Sequence, residues 1–218
     1  MLAELAEDVF IEVTTDRGID VKMQYPLLGM TCAENRCLMR KEVYERLLKA
    51  QELLPEGYSI RVWDAWRPFK LQEELYYVYR KQIIEEFNLQ GLSTEEQNRE
   101  ISNFVALPNP EPQRVPTHTT GGALDVTLID TEGMELNMGT AFDSFSPRAF
   151  ADYFEKIEVA EHSEEAEIRK NRRMLCDAML GAGFTGISSE WWHFDYGDRL
   201  WAQHTGQPVK YGGVFEIV

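Results

Sequence analysis

The stretch "HTTGGALDVTL", residues 118–128, is the strongest constraint on what this chain can fold into. From Ala123 onward it has the pattern of a buried strand, because Leu124, Val126 and Leu128 share one face at the two-residue period of extended chain. The opposite face carries Ala123, Asp125 and Thr127. An ionised carboxylate in the middle of such a strand costs several kcal/mol unless a positive group meets it. The fold must therefore bring a cation to Asp125. His118 lies upstream of it, and Gly121 and Gly122 let the backbone turn closely between the two. A lone histidine beside glycines is more often an ordinary loop residue, and a lone aspartate in a strand is often paired to arginine. The two together point instead to a shared metal, since imidazole nitrogen and carboxylate oxygen are ordinary zinc donors.

The rest of the chain frames that strand. "FIEVTT" near residue 10 alternates like a strand, and residues 39–54 have helical spacing through Leu38, Val43, Leu47 and Leu48. "YSIRVWDAWRP" reads as a buried strand running to Asp64 and broken at Pro68. A long helix is expected over about 69–88. Ser93 with Glu96 forms a capping box that opens a second helix, fading near Val105. "LPNPEPQRVP" is an extended loop. After the strand at 122–129 come a turn at "DTEG", an acidic patch between Glu155 and Glu167, and a helix over 163–181. "EWWHFDYG" is a late strand. Strands and helices mix without a βαβ rhythm, which predicts an α+β fold: a central antiparallel sheet flanked by helices, with the metal cleft on one sheet face.

Length and composition limit the remaining classes. At 218 residues, with 44% hydrophobic and 11% aromatic residues, the chain can bury a proper core as a single domain spanning 1–218. Its net charge of −15 argues against nucleic-acid partners and anionic membrane surfaces. The three cysteines, Cys32, Cys37 and Cys176, are an odd number without CxxC spacing, so a reducing, cytoplasmic setting is the simpler expectation. The first residues carry acids where a signal peptide needs positive charge, and no membrane span is visible. Homo-oligomerisation is left open.

A second cluster of chemistry lies at "SSEWWHFDYG". Glu190 and His193 would face opposite sides of a straight strand, so Glu190 is expected in the turn or bulge before it. His193 then becomes a third ligand beside His118 and Asp125. Two histidines and a carboxylate with an open fourth position make a catalytic zinc arrangement rather than a closed structural one. Glu190, near the metal without binding it, could take the proton of the attacking water. In "VWDAWRP", Arg67 is braced by Pro68 and could stabilise an oxyanion or hold a substrate carboxylate, with Asp64 supporting the loop. His162 and His204 lie in no ligand-like setting.

"HTTGGALD", "EWWHF", "WDAWRP" and "NMGTAFD" together resemble the zinc D-alanyl-D-alanine dipeptidases of the VanX type, within a wider group of peptidoglycan-acting D,D-peptidases. The resemblance runs in order from about residue 58 to 196 and leaves the segment 86–112 uncovered. It implies zinc ligands at His118, Asp125 and His193, a general base at Glu190, a transition-state stabiliser at Arg67, and at Asp143 a receiver of the substrate's ammonium group. One position departs from the family pattern. Where serine often stands two residues before the first ligand, this chain has Pro116, which removes a hydroxyl and a backbone donor beside the substrate. Thr117, Thr119 and Thr120 are the available replacements.

The resulting expectation is one zinc ion per chain and hydrolysis of D-Ala-D-Ala or a similar small dipeptide with a free N-terminus. The rival readings are a D,D-carboxypeptidase or peptidoglycan endopeptidase, and a zinc-stabilised binding module without turnover. Retention of Glu190 and Arg67 speaks against the module.

Overall fold

A computed structural model describes residues 9–15, 18–102, 104–111 and 114–217. Its elements in chain order begin with β1 (Phe10–Val13), β2 (Ile19–Val21), α1 (Gln24–Leu27), β3 (Cys37–Arg40) and α2 (Lys41–Leu53). β4 (Ser59–Asp64), α3 (Phe69–Glu86), α4 (Thr94–Ile101) and β5 (Ala123–Ile129) follow. The last elements are α5 (Tyr153–Lys156), α6 (Glu164–Gly181), β6 (Thr185–Gly186), β7 (His193–Asp195) and α7 (Arg199–Thr205).

β5 is the hub, buried along all seven residues. It sits third in a five-stranded sheet of order β2-β4-β5-β7-β6, paired antiparallel to both β4 and β7. Ile60 faces Leu128, Val62 faces Val126, and Leu124 faces Phe194. Burying an aliphatic side chain of this size stabilises the fold by roughly 1.5–3 kcal/mol, so any register slip in this apolar ladder is strongly disfavoured. The register also does chemical work: it sets Asp125 opposite His193 on one side and opposite Asp64 on the other. The pairing shifts between Val62 and Asp64, and this irregularity is what brings Asp64 level with Asp125.

The α+β class is as expected, and within the five-stranded sheet three of the four strand pairs are antiparallel. The outer pair differs, because β2 runs parallel to β4. β1 and β3 form a separate antiparallel pair. The long crossover through α1, β3 and α2 explains the parallel edge, since a tight hairpin would have forced the opposite direction.

Helices α2 and α6 cover one side of the core through Val43, Leu47, Leu175 and Met179. A second apolar cluster joins Tyr25 to Leu71, Leu75, Tyr79 and Ile83 of α3 and to Ile101 of α4. Phe142 packs against both clusters. The capping box at α4 is present, with Ser93 and Glu96 bonding each other's backbone N–H, but the helix stops at Ile101 rather than near Val105. α3 likewise ends at Glu86. None of the described helices is long and apolar enough to cross a membrane. The three cysteines are unpaired.

The turn before β5 is fastened from distant parts of the chain. Arg40 donates from its backbone N–H to the Gly121 carbonyl (3.2 Å) and from Nε to the Thr120 carbonyl (2.8 Å). Near the other end of the sequence, the Val214 N–H donates to the Thr119 carbonyl (2.9 Å), and Trp66 Nε1–H donates to the Val214 carbonyl (2.8 Å). Gly121 has φ +73°, and a Cβ there would lie 2.4 Å from the Phe10 ring. At Gly122 the obstacle is the Tyr196 carbonyl, 2.5 Å from such an atom.

Candidate metal centre and active site

Three side chains converge where the sheet meets the α3–α4 cluster. His118 comes from the tight turn Thr117–Thr120, Asp125 from β5 and His193 from β7. All three are buried. His118 Nε2 lies 3.2 Å from His193 Nδ1 and 3.3 Å from Asp125 Oδ1, and the third side of the triangle, His193 Nδ1 to Asp125 Oδ1, is 3.1 Å. Donor atoms about 2.0–2.1 Å from a tetrahedral zinc ion are about 3.3 Å from one another. The donor set and its dimensions therefore fit such an ion, and the group can hold a metal.

Each imidazole is fixed in the required tautomer. His118 Nδ1–H donates to the Ala65 carbonyl (2.8 Å), which leaves the Nε2 lone pair for the metal. His193 Nε2–H donates to Asp195 Oδ1 (2.8 Å), which leaves Nδ1. Burial pulls His193 toward its neutral form, but the carboxylates of Asp195 and Asp125 prevail and hold its pKa well above the usual range. The site thus calls for a positive charge, which a proton or a metal can supply. Asp198 lies behind Asp195, and burial and then the Asp195 carboxylate push its carboxyl up to about 8.

Arg67 follows β4 and is nearly enclosed. Nε and Nη2 both donate to Asp64 Oδ2 (3.0 and 2.8 Å), Nη1 donates to Gln72 Oε1 (2.8 Å) and Nη2 to the Tyr25 hydroxyl (3.1 Å). These bonds occupy four of the five N–H donors of the guanidinium. Asp125 Oδ2 lies 3.6 Å from Nη2. Asp64 also lies 3.2 Å from His118 Nδ1, so it supports both Arg67 and the first imidazole, in keeping with the expected loop-supporting role.

Glu190 sits in the irregular segment before β7, as anticipated, with Oε2 4.0 Å from His193 Nδ1. Burial pushes its carboxyl up to about 8, against the opposing pull of His193 and Arg67. Asp143 lies on the same cavity wall, with positive φ (54°), and accepts a 2.6 Å hydrogen bond from the Tyr79 hydroxyl. Burial raises it to about 6. His162 and His204 are exposed and away from the cluster.

The cavity measures about 220 Å³. That is small against the roughly 300–1,000 Å³ of sites for drug-sized ligands. Pro116 forms part of its wall. The structure brings together every expected site residue and adds four that sequence reading missed. Asp195 was detectable in principle, because residues i and i+2 share a strand face and it follows His193 at that interval. Tyr25, Gln72 and Tyr79 carry no local signal, since only tertiary packing brings them to the site.

Over residues 25–210 the chain matches the peptidase M15 family, described as D-ala-D-ala dipeptidase. It is 34% identical over 181 residues to a D-alanyl-D-alanine dipeptidase of Synechocystis sp., covering 78% of this chain and 73% of that protein. A D-alanyl-D-alanine dipeptidase of Escherichia coli K12 is 28% identical over 202 residues, covering 83% and 85%. Among solved structures, VanYB in complex with D-Alanine-D-Alanine aligns over 82% of this chain and 83% of its own, at 18% identity and a TM-score of 0.43. The match across most of the chain, at this level of identity to the cyanobacterial protein, places it in the peptidase M15 family of D-ala-D-ala dipeptidases.

Proposed function

We propose that the protein hydrolyses D-Ala-D-Ala, or a similarly small dipeptide with a free N-terminus, using one zinc ion per chain held by His118, Asp125 and His193. The observation that carries this reading is the buried donor triangle with sides of 3.1–3.3 Å, each imidazole backed by its own acceptor. Zinc held there would supply Lewis acidity and make the attacking water acidic near neutral pH. Glu190, beside the open side of the triangle, accepts the water's proton and returns it to the leaving amine. Its burial leaves the carboxyl poorly solvated and raises it to about 8, which makes it a stronger base, and a zinc ion at the triangle would draw it back toward the ionised form.

Arg67 presents a fixed cation to the oxyanion that forms at the scissile carbonyl. Its bonds to Asp64, Gln72 and Tyr25 set its orientation before substrate arrives, so little reorganisation accompanies the reaction. Asp143, oriented by Tyr79, receives the substrate's ammonium group.

The test is turnover of D-Ala-D-Ala and its N-acetyl derivative by zinc-loaded protein, beside Glu190→Ala. The free dipeptide should be cleaved far faster than the blocked one. Glu190→Ala should keep its zinc and lose roughly 10²–10⁴-fold in rate. Equal rates on free and blocked substrates would make the enzyme a carboxypeptidase, and loss of zinc from Glu190→Ala would make Glu190 a ligand.

A further inference from the structure

A dipeptide is a zwitterion, and its two ends need partners of opposite sign. The cavity wall is rich in acid, with Asp125, Asp143 and Glu190 all lining it. None of these three groups, when ionised, can receive the carboxylate end. The wall carries two arginines, Arg67 and Arg199. Arg67 has committed four donors to Asp64, Gln72 and Tyr25. Arg199 is exposed and makes no hydrogen bond or ion pair among the described residues.

Its backbone, by contrast, is anchored. Arg199 opens α7 directly after Asp198, a fully buried residue whose Oδ1 accepts from the N–H groups of Leu200 (2.9 Å) and Trp201 (3.0 Å). The side chain therefore leaves from a fixed point with its whole guanidinium fork available. Arg199 and Pro116 line two hollows together, the cavity and an adjoining one that Ser102 and Ala106 also line. Proline has neither an N–H nor a hydroxyl to offer an anion there.

We propose that Arg199, beside Pro116, forms the subsite for the substrate's C-terminal carboxylate. The planar fork suits a two-point hydrogen bond to a carboxylate. Asp143 and Arg199 then read the two charged ends of the same small molecule, and chain length is selected by charge at both termini. The identity of the ligand rests on the dipeptidase reading above.

The experiment compares zinc-loaded wild type, Arg199→Gln and Arg199→Lys on D-Ala-D-Ala and on its C-terminal amide. Because Arg199 is exposed and unpaired, neither substitution endangers folding, and zinc content checks the site. Wild type should strongly prefer the free acid. Arg199→Gln should raise KM for the acid by roughly ten- to hundredfold while kcat moves much less, drawing the acid toward the amide. Arg199→Lys should recover part of the loss. An unchanged acid-to-amide ratio in Arg199→Gln, or no preference in wild type, overturns the proposal. Calorimetric binding of both ligands to zinc-loaded Glu190→Ala separates this inference from the hydrolytic one. Acid-selective binding that needs Arg199, in a wild type without turnover, keeps the subsite and removes the dipeptidase. Turnover with an indifferent Arg199 does the reverse, and failure to bind either ligand overturns both.

Discussion

Replacing Asp195 by asparagine leaves an acceptor behind His193 but removes its charge. The carboxylate now accepts the His193 Nε2–H at 2.8 Å in a fully buried setting. Hydrogen bonds to charged groups contribute about 1.5–3 kcal/mol, and neutral ones about 0.5–1.5. The change should therefore cost about 1–1.5 kcal/mol of metal binding, roughly five- to tenfold in affinity. Asp195→Ala removes the acceptor altogether and strands a buried N–H, so its loss should be larger, toward the hundredfold end seen when such supporting partners are lost. Zinc affinity measured by chelator competition at several pH values checks both. The pH dependence has a definite sign. Asp195 helps hold the His193 pKa above the usual range, so in wild type a proton competes with the metal as pH falls. Without the carboxylate that competition weakens, and the deficit of Asp195→Asn should be greatest at high pH and shrink on acidification. Equal affinity in all three proteins would refute the reasoning and leave the orientation of His193 to packing and Asp125 alone.

Asp143 predicts a second pH effect. With its carboxyl raised to about 6 by burial, the charge that attracts an ammonium is present above that pH and lost below it. KM for a free dipeptide should rise roughly tenfold per unit below about pH 6, a limb absent from Asp143→Asn, and a flat wild-type KM would count against the ammonium role. Gly122→Ala forces a methyl group to within 2.5 Å of the Tyr196 carbonyl and should cost about 1–3 kcal/mol. The expected fall in Tm is several degrees, against little change for Gly91→Ala, where nothing lies within 4 Å. Equal melting temperatures for the two would remove the close approach as a reason for the glycine.

Where the sequence could be read in advance, a strong local period or a short motif was present. The alternation around Asp125, the Ser93–Glu96 box and the run ending in Gly181 each encode their own geometry, and each element starts where it was expected, although the helix after Ser93 stops at Ile101 and not near Val105. The four spaced motifs supplied His118, Asp125, His193, Glu190, Arg67 and Asp143, which the fold gathers around one cavity. The elements that were missed depend on distant partners. β3 is four buried residues running straight into α2, and helical spacing absorbed its end because only β1 across the pair reveals the strand. The parallel placement of β2 on β4 is set by a crossover, and no residue near Ile19 signals its direction. Tyr25 and Tyr79 look like core aromatics in the sequence, and only the fold points their hydroxyls at Arg67 and Asp143.

The fastening of the turn before β5 has a kinetic consequence. Arg40 must meet Gly121, Val214 must meet Thr119, and His193 must come beside Asp125 before the three donor atoms stand together. These contacts close loops of great sequence separation, and such closures are slow to form. The candidate metal site is accordingly expected to be among the last parts of the molecule to assemble, with its donors still dispersed while most of the chain is unfolded. A metal bound there cannot guide early folding. A metal held there would stabilise the native state by holding shut a structure that is already complete, so its contribution should fall on the rate of unfolding and hardly on the rate of folding.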